Sequence, residues 1–152
     1  IFDEIENMTI NAYEFKGYVS CINTVSSYYK TNKEMLDLEV SNELFRSDRP
    51  VFTKIKDEPP TLYVEGCHVS NSLIADGCKI MGTVKDSLLG RYVDVEEGAV
   101  VEDCIILQNI RIHKGAKLSH VIIDKNVDIE QNTELKGNSV FPLVIEKRNV
   151  FK

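Results

Sequence analysis

The sequence has little of what metal sites, disulfide scaffolds and membrane anchors require. It contains four cysteines in 152 residues and no CxxC pair, whereas zinc sites usually need paired ligands at short spacing. We therefore expect free thiols, with Cys67, Cys78 and Cys104 packed as small hydrophobic residues. No apolar run is long enough to span a bilayer, and the acidic first residues differ from the basic start of a signal peptide. These absences predict a cytoplasmic protein with no membrane partner.

Basic residues are also scarce relative to acidic ones. The formal net charge is −6 at pH 7, and no block of consecutive Lys and Arg residues exceeds two. Binding to a phosphate backbone requires a basic footprint, so the composition predicts no nucleic-acid partner. The sequence starts with Ile1 rather than Met, and we expect it to begin inside a longer protein.

The second half of the chain is built from a repeat. Residues 87–103, 104–120 and 121–137 follow one another without gaps, and each segment has 17 residues. A copy that is two residues shorter precedes them at 72–86. Gly98, Gly115 and Asn132 share one position of the repeat, and these residue types tolerate a positive φ. The repeat predicts a solenoid in which each copy forms one coil.

Within the repeat, large aliphatic residues recur at steps of mostly five or six. They are Val69, Ile74, Ile80, Val84, Leu89, Val95, Val101, Ile106, Ile112, Leu118, Ile123, Ile129 and Leu135. A helix repeats at about 3.6 residues and a flat strand at about 2, whereas five or six residues accommodate a short strand and a corner. This hexapeptide-repeat pattern predicts a mainly β fold, a left-handed parallel β-helix preceded by a short helical connector. The left-handed form is an exception to the usual right-handed crossover.

Several further apolar residues lie between the inward positions. They are Leu73, Leu88, Val100, Ile105, Leu107 and Ile122. If they point outward, they form an exposed stripe, which favours self-association. The alternative is that several of them only line the corners of the coils.

The first half combines weak strand patterns with helical ones. Residues 8–15 and 51–55 are predicted as strands. Residues 24–36 are predicted as an amphipathic helix, because apolar residues recur at three-to-four spacing and Thr24 with Ser27 can cap its start. Residues 40–45 are predicted as a further helical turn or two.

Three segments of the chain resemble the C-terminal region of the glucose-1-phosphate adenylyltransferase (ADP-glucose pyrophosphorylase) family. The segments are GYVSCINTVSSYYKTNKEMLDLEV, RPVFTKIKDEPPTLYV and NSLIADGCKIMGTVKDSLLG. The resemblance implies that residues 1–23 are the last strands of a truncated nucleotidyltransferase domain. It implies a helical connector and linker at 24–61 and a left-handed β-helix at 62–152. It also implies a role in glycogen biosynthesis, where the parent reaction converts ATP and glucose 1-phosphate to ADP-glucose and pyrophosphate.

Cys21 marks a departure from the catalytic members of that family. Those members carry a motif of the form YWEDVGTI just before the connector helix, and its Asp helps to hold the catalytic Mg²⁺. The aligned stretch here is YVSCINTV at residues 18–25, so Cys21 takes the place of the Asp. A thiol is a poor ligand for this hard cation. The resemblance is therefore to the non-catalytic, GlgD-type branch of the family, and we expect no catalytic residue, metal site or cofactor in this chain.

The connector also carries candidates for an effector site. They are Arg46, Arg49, Lys54 and Lys56. Such side chains can hold a phosphate group, and effectors of the family bind between the catalytic domain and the β-helix. Nearby acidic residues offset part of this charge, so an ordinary solvated surface is the alternative. Lys147 and Arg148 form a second, weaker candidate.

The resemblance implies partners as well. We expect a homo- or hetero-oligomer formed through the β-helix with a catalytic adenylyltransferase subunit, and a sugar-phosphate or nucleotide effector. One alternative is a hexapeptide-repeat acyltransferase, which would use a histidine as general base; the candidates are His68, His113 and His120. That alternative leaves residues 1–60 unexplained. The other alternative is a pure oligomerisation scaffold.

Overall fold

The predicted β-helix is confirmed in a computed structural model that describes residues 11–53, 56–147 and the backbone of 150–151. Two helices precede it, α1 (Val25–Glu34) and α2 (Leu38–Leu44). The described residues form sixteen strands: β1 (Leu62–Tyr63), β2 (His68–Ser70), β3 (Leu73–Ile74), β4 (Lys79–Ile80), β5 (Thr83–Lys85), β6 (Leu88–Leu89), β7 (Val93–Val95), β8 (Val100–Glu102), β9 (Ile105–Ile106), β10 (Ile110–Ile112), β11 (Lys117–Ser119), β12 (Val121–Ile123), β13 (Asp128–Ile129), β14 (Glu134–Lys136), β15 (Leu143–Ile145) and β16 (Val150–Phe151).

These strands stack into three parallel sheets, one for each side of the coil. The sheets follow the orders β1-β4-β7-β10-β13-β16, β2-β5-β8-β11-β14 and β3-β6-β9-β12-β15. The chain therefore visits each sheet once per coil. Ile112 lies opposite Val95 on one side and Ile129 on the other, so the register follows the 17-residue repeat read from the sequence.

The inward aliphatic residues form continuous columns through the β-helix. The column Ile80, Val95, Ile112 and Ile129 is completely buried, with an exposed fraction of 0% at each position. Full burial of one such side chain stabilises a fold by about 1.5–3 kcal/mol. The predicted inward residues are less buried only at the ends of the β-helix. For example, Val69 in the first coil is 39% exposed, because no preceding coil of its sheet covers it.

Residues with left-handed backbone conformations lie at the corners of the coils. Gly98, Gly115 and Asn132 have φ values of +73°, +73° and +60°, as their shared position in the repeat predicts. The short copy loses its two residues between β4 and β5, since Ile80 is opposite Val95 but Thr83 is opposite Val100. A Cβ on Gly82 in that tight corner would lie 2.4 Å from the carbonyl oxygen of Ala99. Only glycine fits there without displacing backbone.

The connector forms the two helices expected from its pattern, with shorter bounds for the first. Thr24 caps α1, because its side chain accepts a hydrogen bond from the amide of Ser27, whose hydroxyl accepts one from the amide of Thr24. Asp37 caps α2 by accepting a bond from the amide of Glu39. No helix of the described residues has the length and apolar character needed to cross a membrane.

Two predicted strands are wrong where the structure describes them. Residues 11–15 and 51–53 have no strand conformation, while 8–10, 54 and 55 lie outside the described residues. A strand is stabilised by hydrogen bonds to a neighbour, and these segments pair with none of the strands described here. Alternating apolar residues were therefore insufficient to form a strand.

Candidate functional site at the junction of the connector helix and the β-helix

Of the three outer surfaces of the β-helix, one carries a continuous apolar column. We call it the apolar face, and it belongs to the sheet of β3, β6, β9, β12 and β15. Its outward residues lie in register in the order Leu73, Leu88, Ile105, Ile122 and Val144. Since residues of adjacent parallel strands are about 4.8 Å apart, this column is a natural surface for burying another element.

Helix α1 covers the middle of the apolar face. Ile105 and Ile122 are only 2% and 6% exposed and pack with Tyr29 and Tyr28, whereas the end residues Leu73 and Val144 are each 43% exposed. The predicted exposed stripe is therefore corrected: its centre is buried by the chain's own connector. Val100 lies on a different sheet.

Tyr29 is the main apolar contact of the helix and also a polar one. Its side chain is 5% exposed, and its hydroxyl donates a hydrogen bond of 2.7 Å to the carbonyl oxygen of Asp103. Its ring stacks on that of His120 with centroids 6.3 Å apart. Burial, followed by the nearby negative charge of Asp103, raises the pKa of Tyr29 well above its usual value. The hydroxyl thus stays protonated and remains a donor.

Lys33, one helical turn later, binds two successive corners of the β-helix. Its ammonium group donates to the carboxylate of Asp103 at 2.8 Å and to the carbonyl oxygen of Asp86. The ion pair is partly buried, with the Lys33 and Asp103 side chains 20% and 30% exposed. A charge-assisted bond in such an environment is stronger than a neutral one.

The three partners of the helix occupy one corner of successive coils. Asp86, Asp103 and His120 are 17 residues apart and have left-handed φ values of +48°, +53° and +54°. Asp and His residues adopt this conformation more readily than most others. The corner that shapes each coil therefore also presents the polar groups that bind α1.

An open groove remains beside the helix. It has a volume of about 600 Å³ and lies between the start of α1 and the last coils, where Val25, Tyr28, Leu107, Ile122 and Val144 contribute to its walls. Its lining is largely apolar. Helix α1 therefore covers the apolar face incompletely.

The two arginines among the predicted effector residues are paired locally and do not contact α1 or the β-helix corners described above. Arg46 makes two hydrogen bonds of 2.9 Å with the carboxylate of Asp48. Arg49 lies 3.1 Å from a carboxylate oxygen of Glu43 and packs over the ring of Phe15. The side-chain hydrogen bond from Arg46 lowers the pKa of Asp48. An anion would have to compete with these carboxylates.

Of the remaining basic candidates, the structure describes only Lys56 and Lys147. Lys56 is exposed, Lys54 and Arg148 lie outside the described residues, and Lys147 is exposed near the end of the β-helix. The effector site proposed from the sequence therefore stays a prediction.

Cys21 is exposed and forms no disulfide, and Cys67, Cys78 and Cys104 are likewise free thiols. Ser20, the neighbour of Cys21, is hydrogen-bonded to Thr31 through their hydroxyl groups. Among the residues that the structure describes, no three His, Cys, Asp or Glu side chains come together as a metal site. A thiol at this position is a poor ligand for Mg²⁺, which prefers hard oxygen ligands.

The three histidines lie in different surroundings. His113 lies between two carboxylates, with Nδ1 3.0 Å from Glu96 and Nε2 3.0 Å from Asp128. His120 stacks on Tyr29, and His68 is exposed on β2. The two ring nitrogens of His113 are therefore engaged.

Lys33 and Asp103 were not among the candidates predicted from the sequence. Their signal was present, because Asp86, Asp103 and His120 are equivalent polar residues at a corner next to the apolar column. The sequence alone does not show that this corner faces α1, so these residues could not be recognised as its partners before the fold was known.

The fold and junction define a class of protein, a hexapeptide-repeat β-helix with a helical connector docked on one side. The family model described as GlmU-like, C-terminal hexapeptide matches residues 61–139, a little over half of the sequence. The chain therefore belongs to this family.

Individual curated proteins show a more specific similarity than the family model does. The glycogen biosynthesis protein GlgD of Bacillus subtilis (strain 168) is 39% identical over 144 residues, covering 95% of this chain and 42% of that protein. GlgD of Geobacillus stearothermophilus is 41% identical over 113 residues, covering 59% of this chain and 33% of that protein.

A glucose-1-phosphate adenylyltransferase of Bacillus cereus (strain Q1) is 37% identical over 102 residues, covering 67% of this chain and 27% of that protein. The chain thus spans less than half the length of each of these relatives. The resemblance to the adenylyltransferase family and to GlgD proteins is confirmed.

Proposed function

We propose that this chain is the assembly and regulatory part of a GlgD-like protein of glycogen biosynthesis, acting in the cytoplasm beside a catalytic glucose-1-phosphate adenylyltransferase subunit. The similarity to GlgD proteins and adenylyltransferases supports the pathway. The parent reaction would form ADP-glucose and pyrophosphate from ATP and glucose 1-phosphate. The chain itself would contribute no catalytic group.

The docking of α1 is the observation that carries the regulatory part of the proposal. Tyr29 and Lys33 attach one helix to the corners at Asp86 and Asp103. By the resemblance, residues 1–23, which precede this helix, would be the end of the nucleotidyltransferase domain. A change in that domain would move α1 on the apolar face, and assembly through the β-helix would in turn bias the position of α1.

Cys21 supports a non-catalytic role for the parent. Nucleotidyl transfer needs a metal ion to offset developing negative charge, and an exposed thiol at this position does not supply the hard ligand. The catalytic site would then be provided by the partner subunit.

The decisive experiment is pyrophosphorylase activity of the longer parent, alone and mixed with its catalytic adenylyltransferase partner. We expect no activity alone and a stimulated rate in the mixture. Robust activity of the parent alone would contradict the proposal and would mean that another carboxylate replaces the missing ligand. No effect on the partner's rate would leave only the scaffold function.

The effector is tested by thermal unfolding with fructose 1,6-bisphosphate, AMP and inorganic phosphate. A ligand that binds only the native state raises the melting temperature. We expect the increase to be lost in Arg46→Ala/Arg49→Ala and kept in the matched variant Lys30→Ala/Lys125→Ala. Acetyl-CoA in the same assay tests the acyltransferase alternative, for which we expect no shift.

A further inference from the structure

A second face of the β-helix carries a column of alternating charge. We call it the charged face, and it belongs to the sheet of β1, β4, β7, β10, β13 and β16. Its outward column holds four charged residues in register, in the order Lys79, Asp94, Arg111 and Asp128. Leu62 precedes them, and the backbone of Val150 follows in the same register. The signs along the axis of the β-helix are therefore positive, negative, positive, negative.

The members of this column remain accessible to a partner. The side chains of Arg111 and Asp128 are 58% and 55% exposed, and Lys79 is also exposed. Within the chain, Arg111 lies 3.6 Å from Asp94, and Asp128 lies 3.0 Å from the Nε2 atom of His113. No described helix covers this face, in contrast to the apolar face, where α1 packs on the central residues.

A column with an even number of charges of alternating sign is complementary to a second copy of itself that runs in the opposite direction. If a second copy packs on this face in antiparallel orientation, Lys79 meets Asp128 of the other copy and Asp94 meets Arg111. A two-fold axis generates each of these pairs twice, so four contacts join opposite charges and none joins like charges. In a parallel arrangement at the same level, every residue would meet its own copy, and all four contacts would be repulsive.

Neighbouring columns of the charged face are compatible with the same arrangement. Glu96 and His113 occupy equivalent positions of consecutive coils, so the antiparallel axis would bring each of them to the other in the second copy. Tyr92 and Asn109 would meet in the same way at the adjacent corner. Tyr92, Asp94, Asn109, Arg111 and Asn126 line an open depression of about 600 Å³ on this face.

The third face has fewer alternating charges. One of its outward columns runs Ser70, Lys85, Glu102, Ser119 and Lys136. Reversal of this odd column about its centre places Glu102 against Glu102 of the other copy. Like charges in direct contact oppose association.

From this pattern we infer that the charged face is a self-association surface that pairs two copies of the chain antiparallel, with Asp94 against Arg111 and Lys79 against Asp128. The inference deepens the assembly role in the proposed function by naming the face and the orientation. It depends on charge, so raising the salt concentration from about 0.1 M to about 1 M, which shortens the Debye length from about 10 Å to about 3 Å, weakens the pairing.

Charge reversal tests both the face and the orientation. Asp94→Arg and Arg111→Asp each place like charges in contact across the interface, and sedimentation equilibrium should show a dissociation constant raised by about ten-fold or more. An equimolar mixture of the two variants restores opposite charges at all four contacts, so we expect a heterodimer of near wild-type affinity. The double variant Asp94→Arg/Arg111→Asp also remains self-complementary and should dimerise.

Controls separate association from folding. Lys117→Asp reverses an outward charge on the third face and should leave the dimer unchanged, and circular dichroism should show that all variants keep the β-helix. A wild-type chain that is monomeric at all concentrations tested would overturn the inference. So would single variants that still dimerise like the wild type, or a mixture that stays monomeric. None of these results concerns stimulation of the catalytic partner, so the proposed function would stand or fall separately.

Discussion

The β-helix and the connector are held by different kinds of contact. In the β-helix, each inward side chain packs against equivalents above and below, as in the buried column Ile80, Val95, Ile112 and Ile129. In the connector, one helix is held chiefly by two side chains, Tyr29 and Lys33. The β-helix is therefore built from repeated contacts that reinforce one another, while the connector depends on single ones.

This difference is compatible with the proposed regulatory role, in which a change in the nucleotidyltransferase domain would be passed to the β-helix. Elements that move in regulation have low local stability, and we expect a helix held on one side, chiefly by Tyr29 and Lys33, to detach without unfolding the coils. The β-helix can then act as a rigid base. The following predictions separate the two regions, because damage to the β-helix should affect the whole fold and damage at the junction should affect only the helix.

The largest effect is expected from a cavity in the central coil. Ile112→Ala removes a completely buried side chain that contacts the coils on both sides, and it should lower the free energy of unfolding by about 2–5 kcal/mol. Urea unfolding followed by circular dichroism measures this loss. The matched change Lys117→Ala, at an outward position, should change stability by less than about 0.5 kcal/mol. Equal effects of the two changes would contradict the assigned core.

The next effect is expected at the tight corner of the short coil. In Gly82→Ala the new Cβ would lie 2.4 Å and 2.7 Å from the carbonyl oxygens of Ala99 and Glu96, so backbone must shift, at a cost of about 1–3 kcal/mol. Gly66→Ala is the control, since its Cβ meets nothing within 4 Å and only the positive φ is unfavourable, which costs about 1 kcal/mol. A larger loss for Gly66→Ala would show that the corner is not tight.

Alkaline pH should weaken the β-helix through a buried thiol. Burial raises the pKa of Cys104 from 9.0 to about 12. The unfolded thiol then loses its proton first, so stability is unaffected below about pH 9 and falls between pH 9 and 12, by about 1.4 kcal/mol per pH unit for one group. Unfolding measured at pH 8 and pH 10 should show the fall, and Cys104→Ala should reduce it. Equal pH dependence in that variant would assign the effect to other groups.

The smallest global effect is expected at the junction. Tyr29→Phe removes the hydrogen bond to the carbonyl oxygen of Asp103 but keeps the ring, which should cost about 1 kcal/mol. Hydrogen exchange should become faster in α1 and stay unchanged in the central coils. Tyr13→Phe, at a residue that is 88% exposed, is the control. Faster exchange throughout the β-helix would mean that the helix is part of its core.

The β-helix and the connector also differ in how much of each could be predicted from the sequence. The β-helix could be predicted because its aliphatic residues recur at fixed steps, and an inward position such as Ile106 or Leu118 is defined by its copies. The capping of α1 by Thr24 and Ser27 was also predictable, because it depends on residues three positions apart. Residues 11–15 have no copies and no nearby partner, and there the alternation of apolar residues predicted a strand that the structure lacks.

The junction could be predicted only in part. The apolar column was visible in Leu73, Leu88, Ile105 and Ile122, but its occupant was not, because contact between Tyr29 and residues about 75 positions later depends on how the chain folds back. The arginines of the connector looked available for an effector, yet Arg46 pairs with Asp48 two residues away. Composition shows that both charges are present but not that they neutralise each other.

The most direct test of the regulatory role uses the longer parent carrying Tyr29→Phe and Lys33→Met, mixed with its catalytic adenylyltransferase partner. The control carries Tyr13→Phe and Lys30→Met, changes of the same kind at exposed positions. We predict that both proteins form the complex, that the control stimulates the partner as the wild type does, and that the docking variant does not. Full stimulation by the docking variant, with α1 shown by hydrogen exchange to be released, would contradict regulation through the docked helix.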